Sequence, residues 1–203
     1  MTVMQSLKEF ARRVFFHPHG VEFGEHSTVR RPWNIYGAPQ HMRVGSNCFI
    51  LPNLHVQLLI LPQRAKTPSL VIEDGVYIGQ NAFITVGDEI HIGEGSVLSD
   101  SVYITDLAHG MDPEGPPIME QPLESKGPVR IGKRCFLGYR VAVLPGVHLG
   151  DHCIVGANST VTKSFPAYSM IAGSPARIVK TYAKELRQWV SPSEGKSFRA
   201  PSC

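Results

Sequence analysis

The chain has 203 residues, enough for one domain or one domain with a tail. Hydrophobic residues make up 42%, charged residues 18%, and the formal net charge is +3, which excludes a wholly disordered chain and a solvated coiled coil. Glycine (19) and proline (16) are in excess, too few for collagen but enough for many tight corners.

No apolar run approaches the roughly 20 residues of a membrane span. Residues 1–20 carry Lys8, Glu9, Arg12 and Arg13 and have no signal-peptide core. The cysteines (Cys48, Cys135, Cys153, Cys203) form no CxxC pair, so neither a disulfide framework nor a zinc knuckle is expected. The expectation is a cytoplasmic protein without a membrane span. Charge is split along the chain. Residues 1–125 hold 8 basic and 14 acidic side chains, whereas residues 126–203 hold 12 and 3. A basic half suits either nucleic acid or a phosphorylated cofactor, and charge alone does not choose.

In chain order, residues 4–16 read as a short amphipathic helix within an N-terminal segment, 1–43, that includes an atypical first coil. From Val44-Gly45 and Ile50 a period of six begins. Ile72, Ile78, Ile84 and Ile90 form one phase, and Ile92, Leu98 and Ile104 continue after a two-residue slip. Ile131, Leu137, Val143, Leu149, Val155 and Val161 repeat it. Gly79, Gly93, Gly132, Gly138, Gly150 and Gly156 each follow an apolar position, as if supplying a corner conformation other residues resist. Small or β-branched residues such as Val76, Ser96, Cys135 and Cys153 recur four places after the apolar one. Six fits neither a helix nor a two-faced strand. A short strand plus a sharp turn gives it, with three such sides closing a coil of about 18 residues, the hexapeptide β-helix pattern. Cys135 and Cys153, one coil apart, then stack as core fillers. Residues 107–127, with Pro113, Pro116, Pro117 and Pro122, interrupt the repeat as a protruding functional loop. The spacing of Ile178, Tyr182, Leu186 and Trp189 predicts a capping helix over 178–190, and 191–203 reads as a flexible tail.

The hexads, a histidine in the mid-domain break, and the closing V-T-K-S-F-P and I-A-G-S-P-A-R-I-V-K segments resemble the hexapeptide-repeat acetyltransferases. Within the family, residues 92–182 look like the galactoside and maltose acetyltransferase branch, and the loop ending in Gln121 to Gly132 most resembles lipopolysaccharide and polysaccharide O-acetyltransferases. The resemblance implies an all-β solenoid, a left-handed parallel β-helix over 44–177. It implies transfer of an acetyl group from acetyl-CoA, with no metal, to a hydroxyl of a sugar or glycan. It also implies a homotrimer whose sites lie between subunits.

His109, in I-T-D-L-A-H-G, stands where the family keeps its general base, a role suited to imidazole because its pKa lies near operating pH. Asp106 and Glu124 are the carboxylates that could fix its tautomer. Asn53, in L-P-N-L-H, falls near the family's acceptor-side asparagine. Tyr139, Ala157, Thr162, Lys163, Arg177 and Lys180 match the family's CoA-binding positions. Of these, Tyr139 replaces a serine and Lys180 an arginine, which loses bidentate phosphate contact. Three alternatives are weighed beside this reading. They are an N-acetyltransferase acting on a nucleotide-linked aminosugar or an antibiotic, a metal-dependent carbonic-anhydrase-like trimer, and a non-catalytic trimeric scaffold. His148 and His152 are four apart but fall on different hexad positions, which disfavours the metal reading.

Overall fold

The structure, a computed structural model, describes residues 18–191. The short helix expected at 4–16 and the tail after residue 191 lie outside that range. Six successive turns of chain each lay one strand on each of three parallel sheets. The first turn gives β1 (Glu22–Phe23), β2 (Thr28–Val29) and β3 (Trp33–Gly37), and the second β4 (Met42–Val44), β5 (Phe49–Ile50) and β6 (Leu54–Leu58). The third adds β7 (Ser69–Ile72), β8 (Tyr77–Ile78) and β9 (Phe83–Val86), and the fourth β10 (Glu89–Ile92), β11 (Val97–Leu98) and β12 (Tyr103–Thr105). An antiparallel ribbon, β13 (Leu107–His109) with β14 (Leu123–Ser125), then leaves the coil. The fifth turn resumes with β15 (Val129–Ile131), β16 (Phe136–Leu137) and β17 (Ala142–Val143). The sixth has β18 (His148–Leu149), β19 (Ile154–Val155) and β20 (Thr160–Val161). The interruption does not disturb register: Ile90 pairs with Val129 and Ile92 with Ile131 across it.

The period-six residues point inward. Ile72, Ile78, Ile84, Ile90, Ile92, Leu98 and Ile104 are fully buried and stack turn upon turn. Each such side chain contributes about 1.5–3 kcal/mol by burial. Because neighbouring turns repeat the same shape, the columns pack like on like. Cys135 and Cys153 are buried in one column, beside the paired residues Phe136 and Ile154.

The corner glycines act differently from the expectation. None of Gly79, Gly93, Gly132, Gly138, Gly150 and Gly156 has a positive φ. They are needed for space: a Cβ on Gly93 would lie 2.6 Å from the carbonyl carbon of Gly132, one turn away. The left-handed positions fall two residues later, and mostly on other residue types. Along one corner they are Asn53, Asn81, Ser101, Arg140 and Asn158. Three of these five are asparagine, whose short polar side chain tolerates the conformation.

The C-terminal helix is not formed. After β21 (Ser169–Gly173) the chain turns back as β22 (Ala176–Ala183) and then β23 (Gln188–Val190), both antiparallel on the second sheet. Two physical reasons favour strand. Ile178, Val179, Thr181 and Tyr182 are β-branched or aromatic and suit a pleated surface. The exposed edge of β21 also offers unpaired N–H and C=O groups that a strand satisfies and a helix does not. Tyr182 pairs with Trp189 across the hairpin, and its ring stacks on Tyr168, which in turn stacks on His152.

Candidate active site

Two insertions leave the coil at the same corner, between the third sheet and the first. They are residues 59–68, after β6, and 106–128, after β12. Asp106 begins the second. It is fully buried, and its carboxylate accepts hydrogen bonds from the backbone N–H of Gly87 (2.8 Å) and Asp88 (2.9 Å), one turn below. Burial pushes its carboxyl up from the ordinary range, and those N–H donors pull it back in part. Leu107 N–H donates to Thr105 Oγ1 (3.0 Å), which closes the bend and launches the ribbon.

In the ribbon, His109 pairs with Leu123 and Ala108 with Glu124. Side chains alternate along a strand, so His109 and Leu123 share one face and Glu124 points to the other. Glu124 is exposed and meets Lys126 Nζ at 3.6 Å. Nδ1 of His109 is buried and has no hydrogen-bond partner among the described residues. Asp106 is thus committed to the 87–88 turn and Glu124 to the ribbon's outer face, and neither carboxylate meets that nitrogen.

Five residues that sequence reasoning did not single out hold the loops. Gln121, 7% exposed, donates through Nε2 to the carbonyls of Asp112 (2.9 Å) and Pro116 (2.8 Å) and accepts from Asp112 N–H (3.0 Å). It thereby ties the proline-rich tip into one shape. Asp88, 4% exposed, faces Arg64 Nη2 (3.3 Å) and Lys66 Nζ (2.7 Å) from the first insertion. Burial pushes its carboxyl up, but Lys66 and Arg64 outweigh that and hold it below the ordinary range. Gln63 Nε2 donates to the Leu123 carbonyl at 2.7 Å. The only sequence signal for Gln63, Arg64 and Lys66 is the gap in the six-residue period between Ile50 and Ile72.

The residues matched to CoA binding divide between two corners. Thr162 and Lys163 follow β20 at the corner that carries His109, two turns on, about 10 Å along the axis at the usual strand spacing. Both are exposed. Tyr139 and Ala157 lie one turn apart at the corner between the second and third sheets. There Asn158 N–H donates to the Tyr139 carbonyl (2.8 Å), and the Tyr139 ring is 47% exposed. Arg177 and Lys180 lie exposed on β22, and Arg177 Nη1 donates to the Ala176 carbonyl (2.9 Å). Asn53 occupies the same corner as Tyr139 but three turns earlier, about 14 Å along the axis. Its φ is +64°, and its Nδ2 donates to Asn81 Oδ1 at 2.9 Å. One chain therefore does not bring Asn53, Tyr139 or Ala157 to His109, because the width of the third sheet separates the two corners. A cleft of about 520 Å³ occupies the remaining corner. Within it Glu73 meets His91 (3.0 Å) and Glu94 meets Lys133 (3.1 Å).

The described residues 69–106 and 128–163 match the hexapeptide repeat of succinyl-transferase. A putative colanic acid biosynthesis acetyltransferase of Escherichia coli is 30% identical over 146 residues, 72% of this chain and 70% of that protein. The chain belongs to the hexapeptide-repeat acetyltransferase family. A putative lipopolysaccharide biosynthesis O-acetyl transferase of Escherichia coli is 38% identical over 128 residues, 59% of this chain. A probable acetyltransferase of Mycobacterium tuberculosis is 38% identical over 117 residues, 58% of this chain. The chain spans 64% of the former and 39% of the latter. Among solved structures, a variant of an N-acyltransferase from Bacillus cereus superposes with TM-score 0.66 at 18% identity over 91% of this chain and 92% of that one. A hexapeptide-repeat acetyltransferase from Vibrio cholerae gives TM-score 0.52 at 21% identity, over 89% of this chain and 79% of that one. At these identities the superpositions show the fold. Among the described residues, no helix is long and apolar enough to cross a membrane.

Proposed function

We propose that the protein is an acetyl-CoA-dependent O-acetyltransferase that moves an acetyl group to a sugar hydroxyl of a lipopolysaccharide or other surface polysaccharide. The observation that carries the role of His109 is its placement. Its ring sits half-buried on a ribbon held off the coil, with Nδ1 buried and without a hydrogen-bond partner among the described residues. Nε2 is then the nitrogen left to meet an acceptor. It takes the acceptor's O–H proton as that oxygen attacks the thioester carbonyl. When the tetrahedral intermediate collapses, the imidazolium returns the proton to the departing CoA sulfur. Imidazole titrates near neutral pH, so it can serve as base and then acid. Lys163, Arg177 and Lys180 supply cations for the CoA phosphates.

The coil is left-handed, as the family resemblance implies, and the division of residues between two corners supports a homotrimer. The ribbon corner of one subunit faces the Tyr139–Ala157 corner of the next, and the outer residues of the second sheet lie at the contact. Phe49, Tyr77, Val97, Phe136, Ile154 and Met170 form an apolar column there, in which Phe49 and Phe136 are exposed.

The test is acetyl-CoA turnover, read as thiol release, over a panel of free, lipid-linked and nucleotide-linked sugars and amino sugars. The expected product is an O-acetyl ester, and His109→Ala is expected to bind acetyl-CoA but to lose at least about a hundredfold in kcat. An amide product would replace the O-acetyl reading. Unchanged turnover in His109→Ala would remove the base assignment.

A further inference from the structure

The first insertion reaches the strand that pairs with His109. Gly110 N–H donates to the Pro122 carbonyl at 3.0 Å, which makes Gly110–Pro122 a hydrogen-bonded pair. In an antiparallel ribbon these pairs alternate with non-hydrogen-bonded ones, so His109–Leu123 is of the second kind. That register has two consequences. The His109 and Leu123 side chains stand at the closest cross-strand spacing, and the Leu123 carbonyl turns away from β13. A two-stranded ribbon with a free outer edge is weakly held by itself.

Gln63 fills that edge, with Nε2 donating to the Leu123 carbonyl at 2.7 Å. Gln63 is in turn held by its neighbours in the insertion. Arg64 and Lys66 converge on Asp88, and Lys66 also meets Glu89 Oε2 at 3.2 Å. Asp88 cannot swing away, because its own N–H is bound to the buried Asp106 carboxylate. On its other side, Ser125 Oγ of β14 approaches Asp88 Oδ2 at 3.5 Å. The contacts close a ring: Asp106, the 87–88 turn, Asp88, the first insertion, Gln63, and β14 opposite His109.

We propose that the first insertion is a positioning clamp for His109, with Gln63 as the residue that passes the constraint to the ribbon and Asp88 as its anchor. This rests on the acetyl-transfer reading only for its purpose. The geometry of the clamp stands apart from it. A general base works through a hydrogen bond of fixed length and direction, and a displacement of about 1 Å can cost about a hundredfold in rate. A ribbon free to pivot at 106 and 128 would not hold the ring to that tolerance.

The experiment uses the full chain with Gln63→Glu, which keeps size but removes the donor, and Gln63→Lys, which keeps a donor of similar reach. Hydrogen exchange is followed by mass spectrometry in peptides spanning 107–125. Modification of His109 by diethyl pyrocarbonate is followed in the same peptides, with His148 and His152 as internal controls. The Gln63→Glu ribbon is expected to exchange about fivefold faster, and His109 to react correspondingly faster. Peptides from 129–161 stay as in the parent protein, and Gln63→Lys restores the protection. In acetyl-CoA turnover, Gln63→Glu lowers kcat about tenfold while KM for acetyl-CoA stays within about twofold. Parent-like exchange and His109 reactivity in Gln63→Glu would overturn the clamp, as would a loss of protection spread over the whole coil. If the clamp readouts move as expected while His109→Ala keeps its turnover, the acetyl-transfer role of His109 fails and the clamp survives.

Discussion

Alanine at Gly93 tests why the coil corners need glycine. Its φ is ordinary, so a conformational argument predicts a small effect. The crowding around that corner predicts a large one. The new Cβ would stand 2.6 Å from the carbonyl carbon of Gly132, 2.7 Å from its oxygen and 2.8 Å from Lys133 N, all backbone atoms one turn away. Those atoms cannot retreat alone, because Gly132 N–H donates to the Leu149 carbonyl (2.8 Å) and Lys133 N–H to Asp151 Oδ1 (2.8 Å) on the following turn. Ordinary contact requires the two turns to separate by several tenths of an ångström. Overpacking of that kind costs about 2–3 kcal/mol. For a chain of this size each kcal/mol is worth about 2–4 °C, so Tm falls by about 5–10 °C. Gly95 is the control, at φ +66° with Arg134 Cγ as its nearest contact at 3.6 Å. Asn47 adopts the same left-handed conformation at the same corner. Gly95→Asn should therefore leave Tm within about 2 °C. The assay is thermal unfolding at one fixed protein concentration, since assembly makes Tm concentration-dependent. If Gly95→Asn proves the more damaging of the two, crowding is not why the corner needs glycine.

Asp106→Asn turns an NH₂ group toward one of the N–H donors of Gly87 or Asp88, and should cost about 2 kcal/mol. Thermal unfolding measures it, and a parent-like Tm together with an altered pH–rate profile would instead make Asp106 the partner of His109. Asp88 titrates below its unfolded value in the folded chain, so its contribution is present above about pH 4, the unfolded range, and is lost as pH falls through the lower folded value. Exchange in residues 59–68 should stay slow at pH 6 and quicken only below about pH 4, whereas Asp88→Asn should be fast at both. Parent-like exchange in that variant at pH 6 would show that the charge does not hold the insertion. Burial pushes the Cys48 thiol up, and contact with Cys153 together with burial pushes Cys135 up. Cys135 in turn holds the Cys153 thiol below its ordinary value, but all three are buried, so peptide mapping after treatment with a thiol reagent should find Cys48, Cys135 and Cys153 unmodified until the chain is unfolded. Modification of Cys153 in the native state would contradict the closed core column.

The site was legible in unequal parts. His109 could be placed at the junction of coil and loop because the six-residue period stops at Ile104 and resumes at Ile131. Its surroundings could not. Gln63 lies 60 residues from Leu123, and no local pattern announces an exposed glutamine as the partner of a distant carbonyl. Asp106 looked like a partner for His109 because it is three residues away. In a strand–bend–strand path those three residues carry the two side chains to different surroundings.

The coil itself is a local rule repeated. One apolar residue in six, followed by a small one, states which atoms point inward, and stacking like turns makes each column self-consistent. That much the sequence determined alone. What only the tertiary structure decided depends on neighbours one turn away. The corner glycines are required by backbone atoms of the next coil and not by their own φ. Residues 176–183 and 188–190 became strands because the edge of β21 was open beside them, although their spacing was nearly helical. In both cases the deciding free energy belongs to a contact between segments, which a single segment's pattern does not contain.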